Sequence, residues 1–167
     1  LGRWKLLLNG QPVSVLQFGA VPDFSTDSTT EIQAAIDWLG IGGGIVTIDG
    51  GFLVTDLDVN ANVTLLGKNG APSQSATGAY SPVTIPSVLV IAAADTLTFK
   101  QGARIDGCLI LNQNYSPQGT YPLPLNSGNA VAAVAAVAGT AVTIGDGVFD
   151  AEIVNTMILG FEYGVMT

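Results

Sequence analysis

The sequence predicts an all-β fold in which short strands coil into a solenoid closed at one end by an amphipathic α-helix. Three observations predict it. A single helical stretch, around residues 29–39, precedes a long run of β-type segments. From Gly44 onward the chain consists of brief apolar runs bounded by Gly, Asn, Asp or Pro. A phrase of apolar strand followed by Gly or Asn also recurs, as Leu65-Leu66-Gly67, Leu109-Ile110-Leu111-Asn112 and Ile158-Leu159-Gly160.

Residues 1–12 read as an irregular lead-in, with a strand around Trp4 to Leu8 and a turn at Asn9-Gly10. Val13, Val15 and Leu16 suggest a short strand. The following stretch, 22–30, is rich in Asp, Ser and Thr, whose side chains satisfy backbone groups locally. Thr29 or Thr30 is the expected N-cap of the helix, and Glu31 sits in its first turn, where the helix dipole favours an acid. Ile32, Ala35, Ile36 and Leu39 recur at spacings of three and four, giving one apolar face that must be buried. Gln33 and Asp37 fall on the other face, and Gly40 stops the helix.

The expected strands are Ile45 to Ile48, Phe52 to Val54, Val63 to Leu66, Val88 to Ile91, Leu97 to Phe99, a segment at Ile105, and Cys108 to Leu111. They continue as Val142 to Ile144, Ile153-Val154 and Met157 to Leu159. Strands this short without helices between them do not suit a doubly wound sheet, which needs crossover helices between parallel strands. They suit a sandwich or a solenoid. Their continuous Val, Ile, Leu and Thr content, rather than strict alternation, favours the solenoid. No fixed repeat period is present, which a solenoid tolerates because insertions enter at the corners of its rungs. Two insertions are expected, at 69–86 and 112–127. The Ala- and Val-rich stretch from Gly128 to Ala138 is expected to form a short inserted helix stopped at Gly139, since six alanines between Ala130 and Ala138 disfavour a strand.

Composition narrows the function. Five basic against thirteen acidic side chains give a formal charge of −8. That excludes the clustered Lys and Arg that phosphate neutralisation needs, so no nucleic-acid partner is expected. The apolar run from Ala130 to Val142, about 13 residues, is shorter than the roughly 20 that span a bilayer, so no membrane insertion is expected. With no histidine and one cysteine, a zinc site of the usual kinds and a Ser–His or Cys–His nucleophile pair are excluded, and no metal or other cofactor is expected. Cys108, flanked by Gly107 and Leu109, reads as a small buried hydrophobe.

Gly40-Ile41-Gly42-Gly43-Gly44 follows a helix and precedes a strand, the reverse of a phosphate-binding turn. Asp56-x-Asp58-x-Asn60 carries the first three oxygen positions of a calcium loop but has Ala61 at position six and Gly67 at position twelve, and it is expected to be a solvated turn. Carboxylates are the catalytic groups present in number. Asp146, Asp150 and Glu152 cluster around the strands from Val142 to Val154, and Glu162 follows. Glycoside hydrolysis needs two carboxyl groups roughly 5 Å apart for retention or 6.5–9.5 Å for inversion. Rungs of a solenoid about 4.8 Å apart would allow either spacing. Asp150 and Glu152 are therefore the catalytic candidates. A lyase would need a base, and Lys68, Lys100 and Arg104 are the basic side chains in the body of the stack. Tyr80, Tyr115 and Tyr121, in the two insertions, are the candidates for packing against sugar rings.

Residues 13–54 run as Phe18-Gly19-Ala20, an Asp-containing loop, Thr29-x-x-Ile32-Gln33-x-Ala35-Ile36, and a Gly43-Gly44 start to a strand. This order resembles the opening of a right-handed parallel β-helix of the pectate lyase superfamily, in the form found in bacteriophage tailspikes and capsule depolymerases. A looser likeness covers residues 128–166, through the Gly139-Thr140-Ala141 strand and Ile158-Leu159-Gly160-Phe161. The family loop usually carries Gly where this chain has Pro22 and Phe24, and a Pro-x-Gly turn where it has Asp49-Gly50-Gly51. The resemblance implies a homotrimer at a virion tail, outside the cell, that binds and cuts bacterial surface polysaccharide (capsule or O-antigen). It also implies catalytic carboxylates on later rungs. Residues 13–167 would then be the N-terminal part of the β-helix, cut in mid-stack, serving as scaffold and oligomer contact. A non-enzymatic receptor-binding fibre and a bacterial pectate lyase-like enzyme are the alternatives.

Overall fold

A computed structural model describes residues 11–68, 87–92, 95–114, 139–161 and 163–166. The strands are β1 (Val13–Ser14), β2 (Gly44–Ile48), β3 (Gly51–Val54), β4 (Leu57–Val59), β5 (Val63–Gly67), β6 (Val88–Ile91), β7 (Leu97–Phe99), β8 (Arg104–Asp106), β9 (Leu109–Asn112), β10 (Thr140–Ile144), β11 (Glu152–Val154), β12 (Met157–Leu159) and β13 (Tyr163–Met166), with helix α1 at Thr29–Leu39. They form three sheets, ordered β1-β2-β5-β8-β11, β3-β6-β9-β12 and β4-β7-β10-β13. Every strand pair is parallel. Each third strand returns to the same sheet one layer further on. The chain is a parallel β-helix, as the short uninterrupted strands predict.

Register turns sequence into ladders. Val13, Val46, Leu65, Ile105 and Ile153 are successive partners in the first sheet. Phe52, Leu89, Ile110 and Ile158 do the same in the second, and Val59, Phe99 and Ile144 in the third. All twelve belong to or pack against one interior cluster. Full burial of each such side chain stabilises by about 1.5–3 kcal/mol, which is what holds strands of three to five residues in place. In the second sheet β6 and β9 are buried along their whole length. Leu53, Val90, Leu111 and Leu159 form a second, outward ladder there. That two-sided burial explains why Val88 to Ile91 and Leu109 to Leu111 read as unbroken apolar runs.

The first rung would expose a row of unpaired backbone groups, and each of its three sheets is closed differently. In the first, β1 lies on β2. In the second, the N–H groups of Phe24 and Ser28 donate to the carbonyls of Gly51 and Leu53, at 3.1 and 2.9 Å. Thr29 Oγ1 accepts from the N–H of Thr55 at 2.8 Å. In the third, the Gln33 side chain pairs with both backbone groups of Asp58. Helix α1 turns Ile32, Ala35 and Ile36, all fully buried, into the core.

Several local expectations differ from the structure. Val15 and Leu16 do not extend β1. They enter a 3-10 turn, Val15–Phe18, because Ser14 Oγ accepts from the N–H of Leu16 and Gln17 Oε1 accepts from the N–H of Ser14. The N-cap of α1 is Ser28, since the Thr29 hydroxyl is engaged by Asp27 and Thr55 instead. Gly40, at φ 59°, ends the helix as expected. The calcium-like stretch at 56–60 is strand β4, its Leu57 and Val59 fully buried around an exposed Asp58. Strand β13 is too mixed in composition to stand out in the sequence. The inserted helix at 128–138, the strand around Trp4 to Leu8, the 69–86 insertion and all but the first residues of the 112–127 insertion lie outside the described residues. Among the described residues no helix is long and apolar enough to cross a membrane.

Candidate functional site

An open polar groove lies where the cap meets the third sheet. Gln33 and Asp37, one turn apart on α1, face Asp56, Asp58 and Asn60 of β4 and its flanks, with Lys100 arriving from the end of β7. These six side chains line an open groove of about 420 Å³. Gln33 Nε2 donates to Asp37 Oδ1 at 3.0 Å, and Asn60 Nδ2 donates to the same oxygen at 2.8 Å. Lys100 Nζ donates to Asn60 Oδ1 at 3.0 Å and lies 3.4 Å from Asp58 Oδ2. Asp56 Oδ1 accepts from the N–H of Thr96 at 2.9 Å. Each group is thus locked by a neighbour while the groove stays open to water. Just beyond Asp56, the Asp95 carboxyl is raised above its usual range, first by burial and then by the charges of Asp56 and Asp27.

A second polar set lies on the outer face of the first sheet, where register stacks Glu152 on Arg104. Arg104 forks between Glu152 Oε2 at 2.6 Å and Asp106 Oδ2 at 2.7 Å. Asn155 Nδ2 donates to Asp106 Oδ1 at 3.1 Å. The Arg104 and Asn155 hydrogen bonds hold the Asp106 carboxyl below the usual range, and Asp106 first, then Glu152, raises Arg104. Two carboxylates, one guanidinium and an amide tie β8 to β11.

Of the catalytic candidates, Glu152 lies at the start of β11 in this network. Asp150 lies in the preceding turn, exposed, with φ 62°. Glu152 therefore stacks on a cation, and Asp146 sits in the exposed turn after β10. Lys100 and Arg104 flank the turn at 101–102, and both are ion-paired. Tyr80, Tyr115 and Tyr121 lie outside the described residues. Cys108 is fully buried, its thiol pushed up to about 12 by burial and then by Asp106, which suits a core residue. The groove does not stand out in the sequence as a unit, because Gln33-x-x-x-Asp37 reads only as the polar side of a helix and 56–60 as a turn. Their meeting depends on the cap lying over β4.

No protein-family model matches this chain, and no curated protein does. Among solved structures, a hyperthermoactive exopolygalacturonase from Thermotoga maritima is similar at 15% identity and a TM-score of 0.34, over 93% of this chain and 47% of that one. PfbA, a surface adhesin of Streptococcus pneumoniae, is similar at 20% identity and a TM-score of 0.32, over 90% of this chain and 39% of that one. The chain spans less than half the length of either.

Proposed function

We propose that this chain is the cap-proximal part of a parallel β-helix protein that recognises bacterial surface polysaccharide, of the kind found in phage tailspikes that also cleave it. The observation that carries the reading is the cap. Residues 13–54, whose order resembles the tailspike opening, are the ones that close the coil. Gln33 and Ile32-x-x-Ala35-Ile36 of the resembling helix supply the edge pairing and the plug. The segment acts as scaffold, and in a trimer it would lie alongside its counterparts.

The test is to incubate the full-length protein with capsule and O-antigen preparations. New reducing ends without 4,5-unsaturated uronate absorbance mark a hydrolase, and new reducing ends accompanied by that absorbance mark a lyase. Binding without either product would support a non-enzymatic receptor-binding fibre. Neither binding nor product across a broad panel would remove the reading. Within this chain, Asp150→Asn and Glu152→Gln test the two carboxylates as catalysts. Unchanged cleavage in both would move catalysis to other carboxylates.

A further inference from the structure

We infer that the corner of the coil between the third and first sheets is a glycan-binding track for neutral or N-acetylated sugars rather than polyuronates. Its upper end is the groove around Asp37, Asn60 and Lys100, and its lower end is Phe149. This rests on the polysaccharide-recognition reading above and adds the place and the ligand class.

Register puts these residues on one line. Val59, Phe99 and Ile144 are successive partners, so the corners that follow them stack. The N–H of Asn62 donates to the carbonyl of Gln101, and that of Gly102 to the carbonyl of Phe149, each at 3.1 Å. Phe149 thus lies two rungs below the groove on the same corner, about 10 Å down the axis at the spacing between neighbouring strands. A span of that size suits a short stretch of sugar chain.

Each end offers a different chemistry. Phe149 is 68% exposed, the most of any large apolar side chain among the described residues. A bare aromatic face held on a corner can take the C–H face of a sugar ring. The groove offers carboxylate acceptors, two amides and one ammonium to hydroxyl groups. Their mutual hydrogen bonds fix them before a ligand arrives, which lowers the ordering cost of binding.

Charge selects among glycans. The groove carries Asp37, Asp56 and Asp58 against Lys100 alone, and Lys100 is already beside Asp58. A chain of uronates would bring like charge into that groove with no free cation among its described residues to meet it. Hydroxyl and acetamido groups meet no such repulsion.

The experiment is an array of neutral and N-acetylated bacterial oligosaccharides alongside polygalacturonate, probed with the full-length protein and with Phe149→Ala, Lys100→Ala and Gln113→Ala. All three replaced side chains are exposed, and matched thermal melts check the fold. The track predicts binding to neutral glycans that Phe149→Ala and Lys100→Ala each weaken roughly tenfold, while Gln113→Ala, after β9 on the corner between the second and third sheets, changes it by less than about twofold. Polygalacturonate stays unbound. Preference for polygalacturonate, or wild-type affinity in both corner variants, overturns the track and leaves the recognition reading standing. No glycan bound by the wild type removes both.

Discussion

Gln33 and Asp58 meet as two peptide groups would in a sheet. The Asp58 N–H donates to Gln33 Oε1 at 3.0 Å while Gln33 Nε2 donates to the Asp58 carbonyl at 3.1 Å. One side-chain amide thus stands in for the missing strand above β4. It does so from the polar side of a helix whose apolar side plugs the core. The cap therefore closes the end of the coil both by burial and by hydrogen bonding.

Replacing Gln33 separates those roles. Gln33→Ala removes both bonds to Asp58 but keeps Ile32, Ala35 and Ile36 in place. The expected loss is about 1–2 kcal/mol, as each bond is half open to water. Gln33→Glu keeps the acceptor, loses the donor, and sets a carboxylate beside Asp37, so it should be at least as destabilising. Urea unfolding at neutral pH measures both. A Gln33→Glu variant as stable as wild type would show that the amide does not seal the edge.

Phe24 holds a second such relationship. It sits at φ 62°, a backbone region costly for a bulky residue. Its ring rests over Gly51, where an added Cβ would come within 1.9 Å of Phe24 Cε1. Packing of that ring with Leu53 and the outward ladder of the second sheet compensates for the backbone. Phe24→Ala loses the packing and keeps the unfavourable φ, whereas Phe24→Gly loses the packing and relieves the backbone. Phe24→Ala should therefore be the less stable of the two by about 1 kcal/mol in urea unfolding. The reverse order would mean that the left-handed conformation is not maintained there.

The strands whose interiors are aliphatic runs were legible because burial writes itself into sequence: Ile45 to Ile48, Val88 to Ile91 and Met157 to Leu159 all fall where expected. Strand β4 was not legible. Its two inward residues, Leu57 and Val59, flank Asp58 among Asp56 and Asn60, so local chemistry spells a turn, while pairing with β7 on one side and with the Gln33 side chain on the other imposes a strand. The 3-10 turn at Val15–Phe18 was hidden for the opposite reason, since an apolar pattern was overruled by the Ser14 and Gln17 caps. The groove lay beyond sequence reasoning altogether. Gln33 and Asp58 are 25 residues apart, and nothing local links them. Only the uneven lengths of the corner insertions, which erase any fixed period, stood between the sequence and its rung assignments.

Close packing between rungs gives a further prediction. A Cβ on Gly67 would lie 2.0 Å from the carbonyl oxygen of Gly107, a backbone atom of the adjacent layer that cannot rotate away. Gly67→Ala should force the corners apart and cost about 1–3 kcal/mol or more. Gly42→Ala is the control: no atom lies within 4 Å of its added Cβ. Its stability should stay within about 0.5 kcal/mol of wild type. Equal stability for both variants in thermal melts would refute the close contact between Gly67 and Gly107.

Acid should loosen the loop that leads into the cap. Asp23 accepts from the N–H and hydroxyl of Thr26 and from the N–H of Ser25, at 2.7, 2.7 and 2.9 Å. Those bonds, the Thr26 backbone bond foremost, hold its carboxyl well below the usual carboxylate range. A group whose folded-state value is depressed contributes stability that is fully present above its unfolded value, near 3.9, and is lost as pH falls toward the folded one. Asp106, depressed by Arg104 and then Asn155, acts in the same direction, while Asp95, raised by burial and by Asp56, opposes them. Asp23→Ala should therefore be less stable than wild type at pH 7 by a margin that holds to about pH 4 and then shrinks. Urea titrations of both proteins from pH 7 to about pH 2.5 measure that margin. A margin that stays constant or widens in acid would mean that the Asp23 carboxylate does not anchor the loop through its charge.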